Sequence, residues 1–273
     1  MDLAYRIYGA GPTLVLVHGV VHRQQAWTPV IQKLAEHRRV VTVDLPGHGQ
    51  SPHLGEGDDA AHMMADILEN FIGEVTPRGE LAHVAGNSLG GWLALELAAR
   101  GAVASATALS PAGFWLNSLD ERRTVETFRG LRFVSRALGP VRLHALRNTA
   151  VRSAALAPFF SRPWRISPED AAADAASLAN NVTAERVAES TFQLSAPVDE
   201  SIPVTVQWGG LDFILPVYQA FRVREKFPHA DLVIMPLAGH VPMNDDPDGV
   251  VSVLLKGSAV RSAPVQQVAA PAA

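Results

Sequence analysis

The 273 residues contain no cysteine. Disulfides and thiolate metal sites are therefore excluded, and a reducing compartment is permitted. Charge is also scarce: charged residues make up 18% of the chain and the formal net charge is −4. That balance argues against binding nucleic acid through a basic surface. Long apolar runs are missing as well. A membrane span needs roughly 20 apolar residues, whereas Leu14–Val17 stops at His18-Gly19 and reads as a buried strand. Met1–Arg6 has neither a basic region nor an apolar stretch of signal-peptide type, so a cytoplasmic location without a membrane partner is the default expectation. No metal cluster and no phosphate-cradling loop is evident, which leaves no cofactor to expect. Gly9-Ala10-Gly11-Pro12 reads as a hairpin-like turn between two strands, since no helix follows it as a dinucleotide fingerprint requires.

Hydrophobic residues, at 48%, are plentiful enough for one large domain with an inserted subdomain. Short β-branched runs alternate with helical patterns, which predicts an α/β fold with a mostly parallel sheet flanked by helices. The strand candidates are Ala4–Tyr8, Thr13–Val17, Arg39–Val43, Leu81–Ala85, Ala104–Leu109, Pro203–Trp208 and Asp231–Met235. Helices are expected near Gln25–Ala35, Ala60–Val75, Leu89–Arg100 and Val217–Phe227. From Trp115 to Leu194 no strand is convincing. Ser167-Pro168-Glu169-Asp170 there has a helix-start pattern, with Ser as N-cap and Pro at the first helical position. The expected organisation is a core of residues 1–114 and 195–256, a helical cap at 115–194, and a frayed tail at 257–273.

Gly86-Asn87-Ser88-Leu89-Gly90 fits G-x-S-x-G, between an apolar strand and a helix expected to be amphipathic. A strand turning sharply into a helix leaves the central residue strained and its hydroxyl exposed, and side chains at the flanking positions would clash. A serine hydroxyl needs a base, and in this pattern the chain order is Ser, acid, His. Of ten histidines, His240 follows the last strand in Ala238-Gly239-His240-Val241-Pro242. His18 and His48 are the next candidates but precede Ser88. Asp212 lies just past the Val204–Trp208 run, where a carboxylate can orient an imidazole. Asp199 and Asp231 start strands, and Asp245, Asp246 and Asp248 read as helix-start acids. The developing oxyanion needs preorganised donors, for which the backbone N–H groups of Leu89 and Val20 are the candidates.

These elements together resemble the α/β-hydrolase superfamily, in particular its cap-bearing, esterase-like branch. The resemblance runs from Leu14-Val15-Leu16-Val17-His18-Gly19 to Gly239-His240-Val241-Pro242. It includes Asp44-Leu45-Pro46-Gly47-His48-Gly49-Gln50-Ser51, taken as a structural turn, and the acid-bearing Trp208–Pro216 loop. Haloalkane dehalogenases and epoxide hydrolases carry aspartate where this chain has Ser88. Lipases of the HGGG type place more glycines after the histidine than follow His18. Carbon–carbon bond hydrolases resemble it through Gly86-Asn87-Ser88 and Trp208, yet usually have a Ser/Gly/Pro-rich stretch where this chain reads Val20–Gln25.

The resemblance implies a serine hydrolase taking a small ester or other acyl substrate, with carbon–carbon hydrolysis or a non-catalytic ligand receptor as alternatives. Homo-oligomerisation is left open. One further pattern bears on the substrate. Ten arginines lie from Arg122 to Arg165, interleaved with Phe128, Phe133, Phe159, Phe160 and Trp164. They read as a solvated basic face, or alternatively as one or two inward arginines that pair with a substrate carboxylate.

Overall fold

The computed structural model describes residues 1–139 and 141–259. Seven strands form one sheet: β1 (Tyr5–Tyr8), β2 (Thr13–Val17), β3 (Arg39–Val43), β4 (His83–Asn87), β5 (Ser105–Leu109), β6 (Val204–Gly209) and β7 (Asp231–Met235). Their order in space is β1-β3-β2-β4-β5-β6-β7, with β1 antiparallel to β3 and every other pair parallel. The strand candidate at Leu81 begins two residues later, because Leu81 is exposed and pairing to β5 starts at His83.

Gly9–Pro12 joins β1 to β2 without making them neighbours, which corrects the hairpin expectation. β3 lies between them, Tyr5 opposite Val43 and Thr13 opposite Arg39. The reason is burial. Thr-Leu-Val-Leu-Val in β2 has no polar face to give to water, whereas Tyr-Arg-Ile-Tyr in β1 is mostly exposed and suits a sheet edge.

Because side chains alternate along a strand, β2 feeds two cores. Leu14 and Leu16 pack with Val30 and Leu34 of α1 (Thr28–Ala35) and with Val250 and Leu254 of α11 (Pro247–Gly257). Val15 and Val17 face the opposite way, toward Leu68 of α2 (Ala60–Val75) and Leu93 of α3 (Leu89–Ala99). The helix expected from Gln25 is split into a 3₁₀ turn (Gln24–Trp27) and α1, since Pro29 has no N–H with which to continue the preceding turn. Helix α3 is not amphipathic. It is buried from Leu89 to Ala98, because a returning segment covers its outer face: Trp92 Nε1 donates to Phe192 O (3.1 Å) and Ser195 N to Glu96 Oε2 (2.9 Å).

Between β5 and β6 come α4 (Ser118–Ala137), α5 (Val141–Ala145), α6 (Thr149–Leu156), α7 (Pro168–Asn180) and α8 (Val182–Ala188). Side-chain caps start four of them: Asn117, Asn148, Ser167 and Asn181 each accept from N–H groups of the first turn. After β6, a 3₁₀ turn (Val217–Arg222) leads into α9 (Val223–Lys226), and α10 (Pro242–Asp245) precedes α11. Gly257 ends α11, where a Cβ would lie 2.2 Å from Thr107 Oγ1, and the rest of the expected tail, 260–273, lies outside the described residues. No helix of the described residues is long and apolar enough to cross a membrane.

Candidate active site

Ser88 stands between β4 and α3 with φ 58° and ψ −116°, one of two non-glycine residues with positive φ among those described. Strain of this kind costs on the order of 1–3 kcal/mol and survives only where surroundings enforce it. Here Ser88 N donates to Leu109 O (2.9 Å), while Ser88 O accepts from Trp92 N and Ala112 N. Room for the turn comes from the flanking glycines: a Cβ on Gly86 would lie 2.0 Å from Gly90 O, and one on Gly90 2.2 Å from Val17 O. The Ser88 side chain makes no capping hydrogen bond to α3, so its hydroxyl is free for another partner.

Asp212 and His240 are brought together. His240 Nδ1 donates to Asp212 Oδ2 at 2.8 Å, and both residues are almost wholly buried. The other carboxylate oxygen accepts from Ile214 N (2.9 Å) and Leu215 N (2.7 Å), which fixes the acid independently of the imidazole. The loops carrying the pair are joined backbone to backbone, Leu211 N donating to Ala238 O (2.9 Å). Gly209 permits this approach, since a Cβ there would lie 2.2 Å from Gly239 O.

Asn87 connects this unit to Ser88. Buried completely, its Nδ2 donates to His240 O (2.8 Å) and Leu109 O (3.0 Å). A positioning role for Asn87 was not read from the sequence. The available signal was an amide at the end of a fully buried strand, where it must find partners.

Ser88 opens into a cavity of about 90 Å³ together with Val20, Leu89, Trp115, Phe128 and Leu215. Val20 and Leu89 thus share this cavity with Ser88, and their N–H groups donate to no turn or loop hydrogen bond among the described residues.

A family model described as alpha/beta hydrolase matches residues 14–253. The chain belongs to the alpha/beta hydrolase family. It is an enzyme of hydrolase type. It is 29% identical over 268 residues to an uncharacterized Mycobacterium tuberculosis protein, covering 92% of this chain and 76% of that one. It is 27% identical over 282 residues to the pimeloyl-[acyl-carrier protein] methyl ester esterase of Aeromonas salmonicida, covering 93% and 98%. Among solved structures, the enol-lactonase of Burkholderia xenovorans superposes with a TM-score of 0.70 at 21% identity, over 93% of this chain and 95% of that one.

In this alpha/beta hydrolase the other histidine candidates are committed to structure. His18 Nε2 accepts from Leu45 N (3.0 Å) and its Nδ1 donates to Gly19 O (2.8 Å), while burial first, then His48, holds its pKa well below the ordinary range. His48 sits between Pro46 O and Val20 O and so braces the loop that carries Val20. Asp245 is more than a helix-start acid. It accepts from Gly239 N (2.7 Å), Ser161 N (3.0 Å) and Arg162 N (2.8 Å), clamping the segment before α7 to the loop of His240. Asp246 does start a helix, accepting from Gly249 N.

The arginines divide differently from either reading of the sequence. Arg132 and Arg136 of α4 donate to Leu178, Asn181 and Ala179 carbonyls at the end of α7, groups that a helix C-terminus leaves without partners. Arg123, Arg142, Arg152, Arg162 and Arg165 also donate to carbonyls. Among the described residues no arginine or lysine lines the Ser88 cavity. Of the aromatics, Phe128 lines it, whereas Phe133 and Trp164 are exposed.

The sequence does not signal one further pair, buried His22 and half-buried Asp174. His22 Nε2 lies 3.8 Å from Asp174 Oδ2 of α7, with Arg23 3.9 Å from the other carboxylate oxygen and Asp170 nearby. Burial pushes the imidazole down to about 3 and the carboxyl up to about 7. Between pH 3.8 and 6.5 the folded pair is therefore uncharged and holds its one proton on Asp174. The unfolded chain, titrating at ordinary values, also holds one, but on His22. Equal proton counts give no slope of stability with pH. Asp174→Asn should unbalance them: the unfolded chain would then bind a proton that the fold refuses. Relative to the parent, variant stability should climb with pH from about 3.8 to 7, by a few kcal/mol at most. Urea unfolding at pH 4.5 and 6.5, at roughly constant ionic strength, checks this; parallel pH dependences would refute it.

Proposed function

We propose that this alpha/beta hydrolase is a serine hydrolase that cleaves a neutral carboxylic ester through an acyl-enzyme on Ser88. The observation that carries the reading is the His240–Asp212 hydrogen bond, tied through Asn87 to the strained serine next door. With Nδ1 donating to Asp212, the Nε2 lone pair of His240 is left to take the Ser88 proton. Ser88 Oγ bonds to the ester carbon, and the carbonyl electrons move onto oxygen, where the N–H groups of Val20 and Leu89 receive the charge. The C–O bond to the alcohol then breaks as His240 returns the proton to the leaving oxygen. A water deprotonated by His240 attacks the acyl-enzyme, releasing the carboxylic acid and restoring Ser88. Helices α4–α8 act as the cap over this chemistry.

An ester-type substrate is supported by the methyl ester esterase among the relatives, and a neutral one by a cavity lining at Ser88 that, among the described residues, holds no arginine or lysine. A panel of neutral chromogenic esters, matched esters bearing a free carboxylate and a meta-cleavage dienone tests this. Neutral esters should be turned over, and the carboxylate should bring no advantage even at low salt, where attraction to an arginine would be strongest. A low-salt preference for the acid-bearing esters or the dienone would instead favour the carbon–carbon hydrolase reading.

A further inference from the structure

The cavity at Ser88, about 90 Å³, holds roughly three groups the size of a water molecule at about 30 Å³ each. An ester has two arms, and that volume accommodates little beyond the reacting group. A larger cavity of about 320 Å³ lies among the helices between β5 and β6, walled by Leu131 of α4, Leu156 of α6, Leu178 of α7, and Phe159 and Phe160. On the same scale it has room for about ten such groups.

Its inner edge is built from the same loops as the candidate active site. Val21 and His22 line it and directly follow Val20, which lines the Ser88 cavity. Phe159 O accepts from Val241 N (3.1 Å), and Phe160 Cα would lie 3.0 Å from a Cβ on Gly239, so both neighbours of His240 touch this wall. The outer end is rimmed by Val134, Leu138 and Val151, which stand 53%, 49% and 45% exposed. Apolar side chains gathered at an open rim mark a binding surface more often than chance exposure. His22 and Asp174, at the inner edge, are both disfavoured as ions by burial, and the guanidinium of Arg142, the one arginine among the described lining residues, is held by Ser135 O (2.8 Å).

We propose that this cavity is the chamber for a long apolar chain of the ester whose carbonyl reaches Ser88. The assignment rests on the serine hydrolase reading above. Its occupant is an aliphatic chain of about eight to ten carbons, a size set by the volume. Ala175 of α7 and Ala154 of α6 line the chamber from different helices, so Ala175→Phe and Ala154→Phe obstruct it independently.

The experiment has two readouts. In the first, the kcat/KM ratio of p-nitrophenyl decanoate to acetate should fall by about tenfold in each variant, equivalent to lost burial of about two methylenes. In the second, 1-decanol should displace the neutral probe N-phenyl-1-naphthylamine from the Ser88→Ala protein, and should do so weakly or not at all once Ala154→Phe is added. An unchanged ratio in both folded variants, or equal displacement with and without the obstruction, overturns the chamber. Absence of turnover on every ester would overturn the hydrolase reading instead, and displacement, which needs no turnover, would still decide whether the chamber takes the chain.

Discussion

Ser88→Ala should lower ester turnover by a factor on the order of 10⁴–10⁶ and abolish labelling by a fluorophosphonate probe. The substitution deletes one oxygen and little else. Alanine keeps the Cβ, so the strained backbone at φ 58° is no more costly than before. The bonds that hold it, Ser88 N to Leu109 O and the two amides on Ser88 O, are main-chain and persist. Since the hydroxyl caps no helix, the melting temperature should barely move. A large loss of rate with an intact fold is what a nucleophile predicts and a structural serine does not. Labelling that survives in Ser88→Ala would sink the assignment, and with it the acyl-enzyme.

Much of this was legible because the core strands read as short apolar, β-branched runs and helix starts carry local capping residues. Thr13–Val17, Arg39–Val43 and Asp231–Met235 have the bounds their apolar runs suggest, and Ser167-Pro168 caps α7 as its residues require. What failed did so through tertiary partners that no local window contains. The burial of both faces of α3 depends on Phe192–Ser195, some hundred residues away in sequence. The separation of β1 from β2 depends on β3 taking the place between them. The helix-end carbonyls that collect Arg132 and Arg136 belong to α7, so charge counting along α4 could not reveal them.

The site divides along the same line. Ser88, Asp212 and His240 sit in motifs whose spacing is local, each just past the end of a parallel strand, where open α/β sheets place their chemistry. Asn87, Asp245 and the His22–Asp174 pair act across the chain. Asn87 holds a carbonyl 153 positions away, and Asp245 joins Gly239 to Ser161 and Arg162. Polar residues of this kind are visible in a sequence only as exceptions within apolar runs, and the exception does not name its partner.

Asp212→Asn tests the orientation of the base. In the parent, Oδ1 accepts two backbone N–H groups, from Ile214 and Leu215, and Oδ2 accepts from His240 Nδ1. An asparagine has one acceptor and one donor end. Turning its oxygen to the two amides satisfies both and presents NH₂ to His240. The opposite orientation would set NH₂ against two donors at once, so the first wins. His240 must then accept at Nδ1 and carry its proton on Nε2, the tautomer that cannot take a proton from Ser88. The rate should fall by about 10⁴-fold with substrate binding and folding preserved. Asp245 is not free to rescue it, because it already accepts from Gly239, Ser161 and Arg162. Near-normal turnover in Asp212→Asn would therefore mean that His240 is oriented by some other group, and that its bond to Asp212 serves the fold rather than the reaction.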